Sequence, residues 1–221
     1  MGRRVVTLTG IATAIVLSGC GSASHKTAST TAVATTARPP SSASLPPGAP
    51  PALRGVSGRV LNAGQLAGFA PHGRRLLGVN ATSWVAEEQL PPPARTKEAA
   101  RLQRLGFVGA VSERLAPTNG GAAEGLSVVE QFRSARAADA ELAAQVKMTE
   151  AQGAKAFAVP VIPGASGFGG ASGGTAGYNV AFADGVYYYL VGAGWPTGTP
   201  SPPTRAALVT AAQDLYRRVH R

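Results

Sequence analysis

Apolar residues are distributed along this 221-residue chain in three different ways. From Val5 to Leu17 they form a run of 13 residues that Thr7, Thr9 and Gly10 only dilute. From Gly21 to Pro51 they nearly vanish, leaving Ser, Thr, Ala, Pro and Gly with one leucine, one valine and no acid. Such a stretch cannot bury enough apolar surface to offset chain entropy, so residues 20–54 are expected to be a disordered linker. Its second half, from Arg38-Pro39-Pro40 to Pro50-Pro51, favours extended polyproline conformations, as a spacer would. From about Gly55 to Arg221 periodic patterns return over a length that suits one domain.

Within residues 55–221 the N-terminal portion is weakly patterned. Arg59-Val60-Leu61 and Arg75-Leu76-Leu77 read as short strands and Thr82 to Gln89 as a short helix. Thr96 is placed to cap a helix from Lys97 to Leu105, with Leu102 and Leu105 on one face and Gly106 as its left-handed stop. Phe107 to Leu115 and Leu126 to Phe132 read as two strands joined across the turn-rich Pro117-Thr118-Asn119-Gly120-Gly121. The longest helix is predicted over Ser134 to Gln152, capped by Ser134, ended by Gly153, and carrying Ala135, Ala138, Leu142, Val146 and Thr149 as its buried stripe.

Ala156 to Ile162 reads as a strand that Pro160 confines to a sheet edge, because a proline lacks the N–H a central strand donates. Tyr178 to Ala183 and Val186 to Val191 form a hairpin around Asp184-Gly185. Pairing Ala183 with Val186 puts Tyr178, Val180, Phe182, Tyr187, Tyr189 and Val191 on one face. That face is the bulkier one and is expected to meet the helices. The other face, with Asn179, Ala181, Ala183, Val186, Tyr188 and Leu190, is expected to lie under another helix or a ligand. A closing helix from about Ser201-Pro202 buries Leu208, Ala212, Leu215 and Val219, with Arg217, Arg218 and Arg221 where cations suit the helix dipole. This order of elements predicts an α+β domain with a mainly antiparallel sheet packed with helices.

The first apolar run follows a positive Met1-Gly2-Arg3-Arg4 and is too short for the ~20 residues that cross a bilayer, so it reads as a signal-peptide core. It ends in Leu17-Ser18-Gly19-Cys20, which resembles the lipobox of bacterial lipoproteins: an aliphatic residue, two small residues, then cysteine. The resemblance implies a signal peptide over residues 1–19, cleavage before Cys20, lipid attachment to the Cys20 thiol, and residence on the outer face of the cell membrane. One acyl chain binds a bilayer only marginally whereas two or more anchor stably, so the modification would decide where the protein resides. An ordinary secretory leader cut after Gly21-Ser22-Ala23 is the alternative.

Composition narrows the chemistry. Cys20 is the only cysteine, and His25, His72 and His220 are scattered, so neither disulfides, a metal site nor a cofactor is expected. Lys and Arg number 21 against 11 acids. Outside the cytoplasm such a charge meets phospholipid head groups and cell-wall polymers, which disfavours nucleic acid as a partner. The Gly164 to Gly177 tract reads as a flexible loop with neither G-K-[ST] nor a dinucleotide fingerprint. Gly170-Ala171-Ser172-Gly173-Gly174 matches G-x-S-x-G, and Asp184 or Asp214 with His220 would complete a serine hydrolase in order. That elbow requires a strand running straight into a helix, which is not predicted there, so no catalytic residue is assigned. Trp195 and Trp84 read as core anchors before sugar or membrane contacts, and Tyr187-Tyr188-Tyr189 as strand residues on alternate faces.

The stretch Val128-Val129-Glu130-Gln131-Phe132-Arg133-Ser134, leading into an Ala-rich helix, later strands and a closing helix, resembles PsbP/Mog1-like domains over about half of the chain. The resemblance implies an accessory, non-catalytic role. The expected function is therefore a lipid-anchored binding, sensing or accessory module of the cell envelope, working on an envelope protein, polymer or lipid. A carrier of an apolar lipid or glycolipid and a hydrolase using Ser172 are the alternatives.

Overall fold

The computed structural model describes residues 50–87 and 90–221. Cys20, the leader and residues 20–49 of the expected linker lie outside the described residues, as does the Glu88-Gln89 end of the second expected helix. The domain is α+β, with one eight-stranded antiparallel sheet and helices on both of its faces. In chain order come α1 (Pro51–Arg54), β1 (Phe69–Pro71), β2 (Leu76–Gly78), α2 (Ala81–Glu87), α3 (Pro92–Leu105), β3 (Phe107–Pro117) and β4 (Glu124–Phe132). They are followed by α4 (Ala135–Ala151), β5 (Lys155–Phe157), β6 (Ser166–Ser172), β7 (Thr175–Asp184), β8 (Tyr187–Pro196) and α5 (Arg205–Val219). The strands lie side by side as β1-β3-β4-β8-β7-β6-β5, with β2 also paired to β3.

Where the local signals are chemically specific, the elements start and stop as expected. The Ser134 hydroxyl accepts from the Ala137 N–H at 3.3 Å, and Gly106 ends α3 with φ 77°. The third helix begins earlier than Thr96: Pro92 and Pro93 supply a first turn with preset φ and no N–H to satisfy. Thr96 is therefore inside α3, where its hydroxyl donates back to the Pro92 carbonyl. Arg59-Val60-Leu61 is not a strand. Val60 and Leu61 are buried in an irregular segment whose Leu61 N–H donates to Ser127 Oγ at 3.0 Å. Just before it, Leu53 is also in the core.

Two expectations on the sheet are corrected. The Gly164 to Gly177 tract is not a flexible loop but the strand β6, a tight turn at Gly173-Gly174 (φ 59° and 82°), and the start of β7. Its glycines are spaces for rings. A Cβ on Gly167 would overlap the Phe157 ring, and one on Gly169 the Tyr178 ring. The strand expected over Ala156 to Ile162 is reduced to Lys155–Phe157, at the edge that Pro160 required.

The hairpin of β7 and β8 forms with a shifted register: Asp184 pairs with Tyr187, and Ala183 with Tyr188. The turn residues are thus Gly185 and Val186, with only Gly185 at positive φ (57°). Placing Asp184 and Gly185 in the turn would have required a left-handed aspartate as well, whereas a type II′ turn needs only a glycine in first place. The slip keeps parity, so every residue stays on its expected face. Phe182 consequently stacks on Tyr189, ring centres 4.6 Å apart, rather than sitting beside Tyr187.

Both faces are covered. The bulky face, with Val180, Phe182, Tyr189 and Val191 fully buried, packs against α5 (Leu208, Ala212, Leu215) and the Leu53–Leu66 segment. The bulky face thus meets a helix as expected, and that helix is the closing one rather than the long one. The opposite face, with Ala181 and Tyr188, packs with α2, α3 and α4. On α4 the buried residues are Ala137, Ala138 and Glu141, while Ala135 is exposed, so the helix is rotated from its predicted stripe.

Phe182 occupies the centre of the larger core. Phe182→Ala should lower stability by about 3 to 5 kcal/mol, measured by chemical denaturation, and Asn179→Ala, half-buried on the other face, by far less.

Candidate functional site

The residues of the formal hydrolase pattern are divided between opposite ends of one strand. Ser172 ends β6 beside the Gly173-Gly174 turn and is exposed. Asp184 closes β7 at its other end, and ten strand residues at about 3.3 Å each separate the two levels by roughly 30 Å. His220 does meet Asp184, Nδ1 to Oδ1 at 2.8 Å, and stacks on Tyr216. Asp214 is taken up by Arg217 on the same helix. A histidine–aspartate pair thus exists, but Ser172 is not beside it. Among the described residues no group of three or more His, Cys, Asp or Glu is placed to hold a metal, and Cys20 and His25 lie outside them.

Trp195 lies within β8, 7% exposed and tilted against Tyr178 at 5.3 Å, so it is a core anchor. Trp84 of α2 is buried on the other face, where its indole N–H donates to Glu130 Oε1 at 2.7 Å. Tyr187 and Tyr189 share one face of the sheet and Tyr188 the other.

Sequence reasoning missed where the acids go. Glu98, Glu113, Glu130 and Glu141 are all buried. Arg101 of α3 holds Glu98 on its own helix and reaches Glu141 of α4 through both terminal nitrogens, at 2.6 and 2.9 Å. Gln145 donates to Glu141 from one turn on, at 2.7 Å. Burial alone would pull the Arg101 guanidinium down, but hydrogen bonds to Glu98 and Glu141 outweigh it and hold the group above its ordinary range. Glu113 is similarly held by Arg75. A signal existed: Glu141 follows Ala138 by three and Ala137 by four, which places it on the buried stripe of α4.

With those acids internal, six of the nine exposed arginines among the described residues gather at one end of the sheet. That end is defined by the β7–β8 turn, by Gln131 opposite Tyr187, by the start of β3 and by the last turn of α5. Arg59 donates to the Tyr189 hydroxyl at 2.9 Å and to the Val219 carbonyl at 3.3 Å, and its guanidinium lies 4.0 Å from the Tyr187 ring centre. Arg218 of α5 donates to the Gly58 and Val60 carbonyls and to Gln65. Together they clip residues 55–65 to the closing helix. Burial pushes the Tyr189 phenol up to about 12, only partly opposed by Arg59. Burial likewise lowers Arg218, and the Arg59 charge adds to the lowering. An open cleft of about 660 Å3 is set in this end, lined by Asn80, Thr82, Ser83, Gln103, Phe107 and Arg133.

The fold and this end define a helix-covered antiparallel α+β domain with one arginine-rich pole. No family model matches the chain. Nor does any curated protein match it in sequence. Among solved structures, the extracellular domain of PknH from Mycobacterium tuberculosis is similar to it, with a TM-score of 0.51 over 75% of this chain and 95% of that one, at 13% identity. At that identity the likeness concerns the fold.

The Arg101 cluster separates structural from superficial ion pairs. Glu141→Ala should cost about 3 kcal/mol, at the low end for a broken buried pair because Arg101 keeps Glu98. Asp214→Ala, which breaks the exposed pair with Arg217, should cost under about 1 kcal/mol. Urea denaturation of the two variants measures both.

Proposed function

We propose that this chain is a lipoprotein of the cell envelope, held on the outer face of the membrane through lipid on Cys20, and that its α+β domain is a non-catalytic binding or sensing module. The observation that carries the reading is a fold similar to the extracellular domain of PknH, in a chain that begins with a signal-like leader ending in Leu17-Ser18-Gly19-Cys20. The resemblance of Val128–Ser134 and the elements after it to PsbP/Mog1-like domains would imply the same accessory role. The partner in this reading is an envelope protein, polymer or lipid.

The two alternatives have less support. A carrier of an apolar lipid needs space under the hairpin, and there Phe182, Tyr189 and Val191 are fully buried against α5. A serine hydrolase needs Ser172 beside His220, and β7 separates them.

Replacing Cys20 with Ala should abolish incorporation of a fatty-acid analogue and block normal processing of the precursor; labelling that persists in the mutant sinks the anchor. An active-site serine probe should leave the folded protein unlabelled. Stoichiometric labelling that disappears in Ser172→Ala would instead make it a hydrolase.

A further inference from the structure

Resting on the lipoprotein reading for where the membrane lies, we propose that the arginine-rich pole is a docking surface for anionic phospholipid, so that the domain sits against the bilayer rather than hanging free of it. Six exposed arginines reach this pole from five different elements or their ends. Arg54 ends α1, Arg104 lies in the last turn of α3, Arg133 follows β4, Arg136 opens α4, and Arg217 and Arg221 close the chain. Arg59 and Arg218 stand half-buried behind them. The acids at this end are Asp139, Asp184 and Asp214, and the last two are already engaged by His220 and Arg217.

The asymmetry is large compared with the whole molecule. The described residues contain 17 lysines and arginines and 10 acids, so the pole alone supplies five of their seven net positive charges. Elsewhere Glu98, Glu113 and Glu141 are paired with Arg101 and Arg75 away from water, so those arginines add little to the outer field and the surplus at the pole stands out. No fold requirement explains the clustering of the six, because all are exposed and, among the described residues, only Arg217 makes an ion pair.

The occupant is argued from where the chain enters. Pro50 leads into α1, Gly55 lies against the Tyr187 hydroxyl, and Arg59 bonds the Gly55 carbonyl at 3.1 Å, so the N-terminal segment joins the domain at this same pole. Cys20 is 30 residues upstream of Pro50. Because the chain joins the domain here, a lipid on Cys20 keeps this pole closer to the head groups on average than the opposite end of the sheet. Each arginine close to an anionic surface strengthens binding by about fivefold, and the contribution fades beyond a Debye length of ~10 Å at 0.1 M salt. A tether that delivers the basic end first therefore converts a modest attraction into a fixed orientation.

The test uses the chain from Gly21 onward, which has neither leader nor lipid and keeps every described residue, including the whole core from Leu53. Sedimentation is measured with vesicles of phosphatidylcholine alone and of an equal mixture with phosphatidylglycerol. The chain should bind the mixed vesicles only, and more weakly as salt rises from about 0.01 M to about 0.15 M. Combined Arg104→Glu, Arg133→Glu, Arg136→Glu and Arg221→Glu should weaken that binding by about a hundredfold or more. Combined Arg114→Glu, Lys147→Glu, Lys155→Glu and Arg205→Glu, which makes the same change of charge away from the pole, should weaken it only a few fold. Unchanged denaturation midpoints show that both variants fold, and a variant that does not is replaced by its Gln counterpart. Absence of binding to the mixed vesicles, or equal losses in the two variants, overturns the proposal. So does preferential capture by soluble polyphosphate at equal phosphate, which would make the pole a polymer site. Because this chain lacks Cys20, a failure here leaves the fatty-acid labelling result standing, and the converse also holds.

Discussion

The centre of the sheet has no wet side, and the rest of the domain follows from that constraint. Tyr188 and Tyr189 are consecutive residues of β8 that point to opposite faces, and both are buried, so helices are required above and below. On one side α5 and the Leu53–Leu66 segment close over Phe182 and Tyr189. On the other, α2, α3 and α4 close over Ala181 and Tyr188. Three helices from separate parts of the chain must share that second face, and Arg101 binds two of them through carboxylates removed from water. Burying such a trio is expensive unless its hydrogen bonds are met, and Glu141 has both oxygens occupied by Arg101, with Gln145 added.

What could be read from the sequence tracks how local the governing physics is. Caps and stops depend on a few adjacent atoms, and Ser134 and Gly106 act as expected. Face membership in the hairpin depends only on parity, so it survived a register that was two positions off. The register itself depended on which residues of Asp184-Gly185-Val186 tolerate a left-handed backbone, and Asp-Gly suggested the wrong pair. Strand β6 was invisible because its evidence lies in other strands: Gly167 and Gly169 are bare where the Phe157 and Tyr178 rings rest. Glycine composition alone reads as a loop. The Val60-Leu61 segment carried apolar residues without period, because it is buried as irregular chain anchored by Ser127.

The candidate site was legible in its parts and not in its arrangement. Arg217, Arg218 and Arg221 were recognisable as helix-end cations, but nothing in sequence brings Arg104 and Arg133 to the same place. That follows from the pairing of Phe107 with Phe132, which joins the end of α3 to the end of β4. Asp184 and His220 meet for a similar reason, since α5 runs back along β7 to the hairpin turn. Ser172 was named by a motif whose residue types are common in any glycine-rich strand, and strand length alone removes it from the pair.

The Arg59–Arg218 clip also has a mechanical meaning. Whatever pulls on the chain ahead of Pro50 loads α1 first, and α1 is only four residues long. Force is next received at Gly55 and Gly58–Val60, where the two guanidiniums join the segment to Tyr189 in the middle of the sheet and to the last turn of α5. Tension is thereby spread over the centre of the fold and its final helix as a shear, rather than peeling away one edge. The domain is built to be held by its beginning.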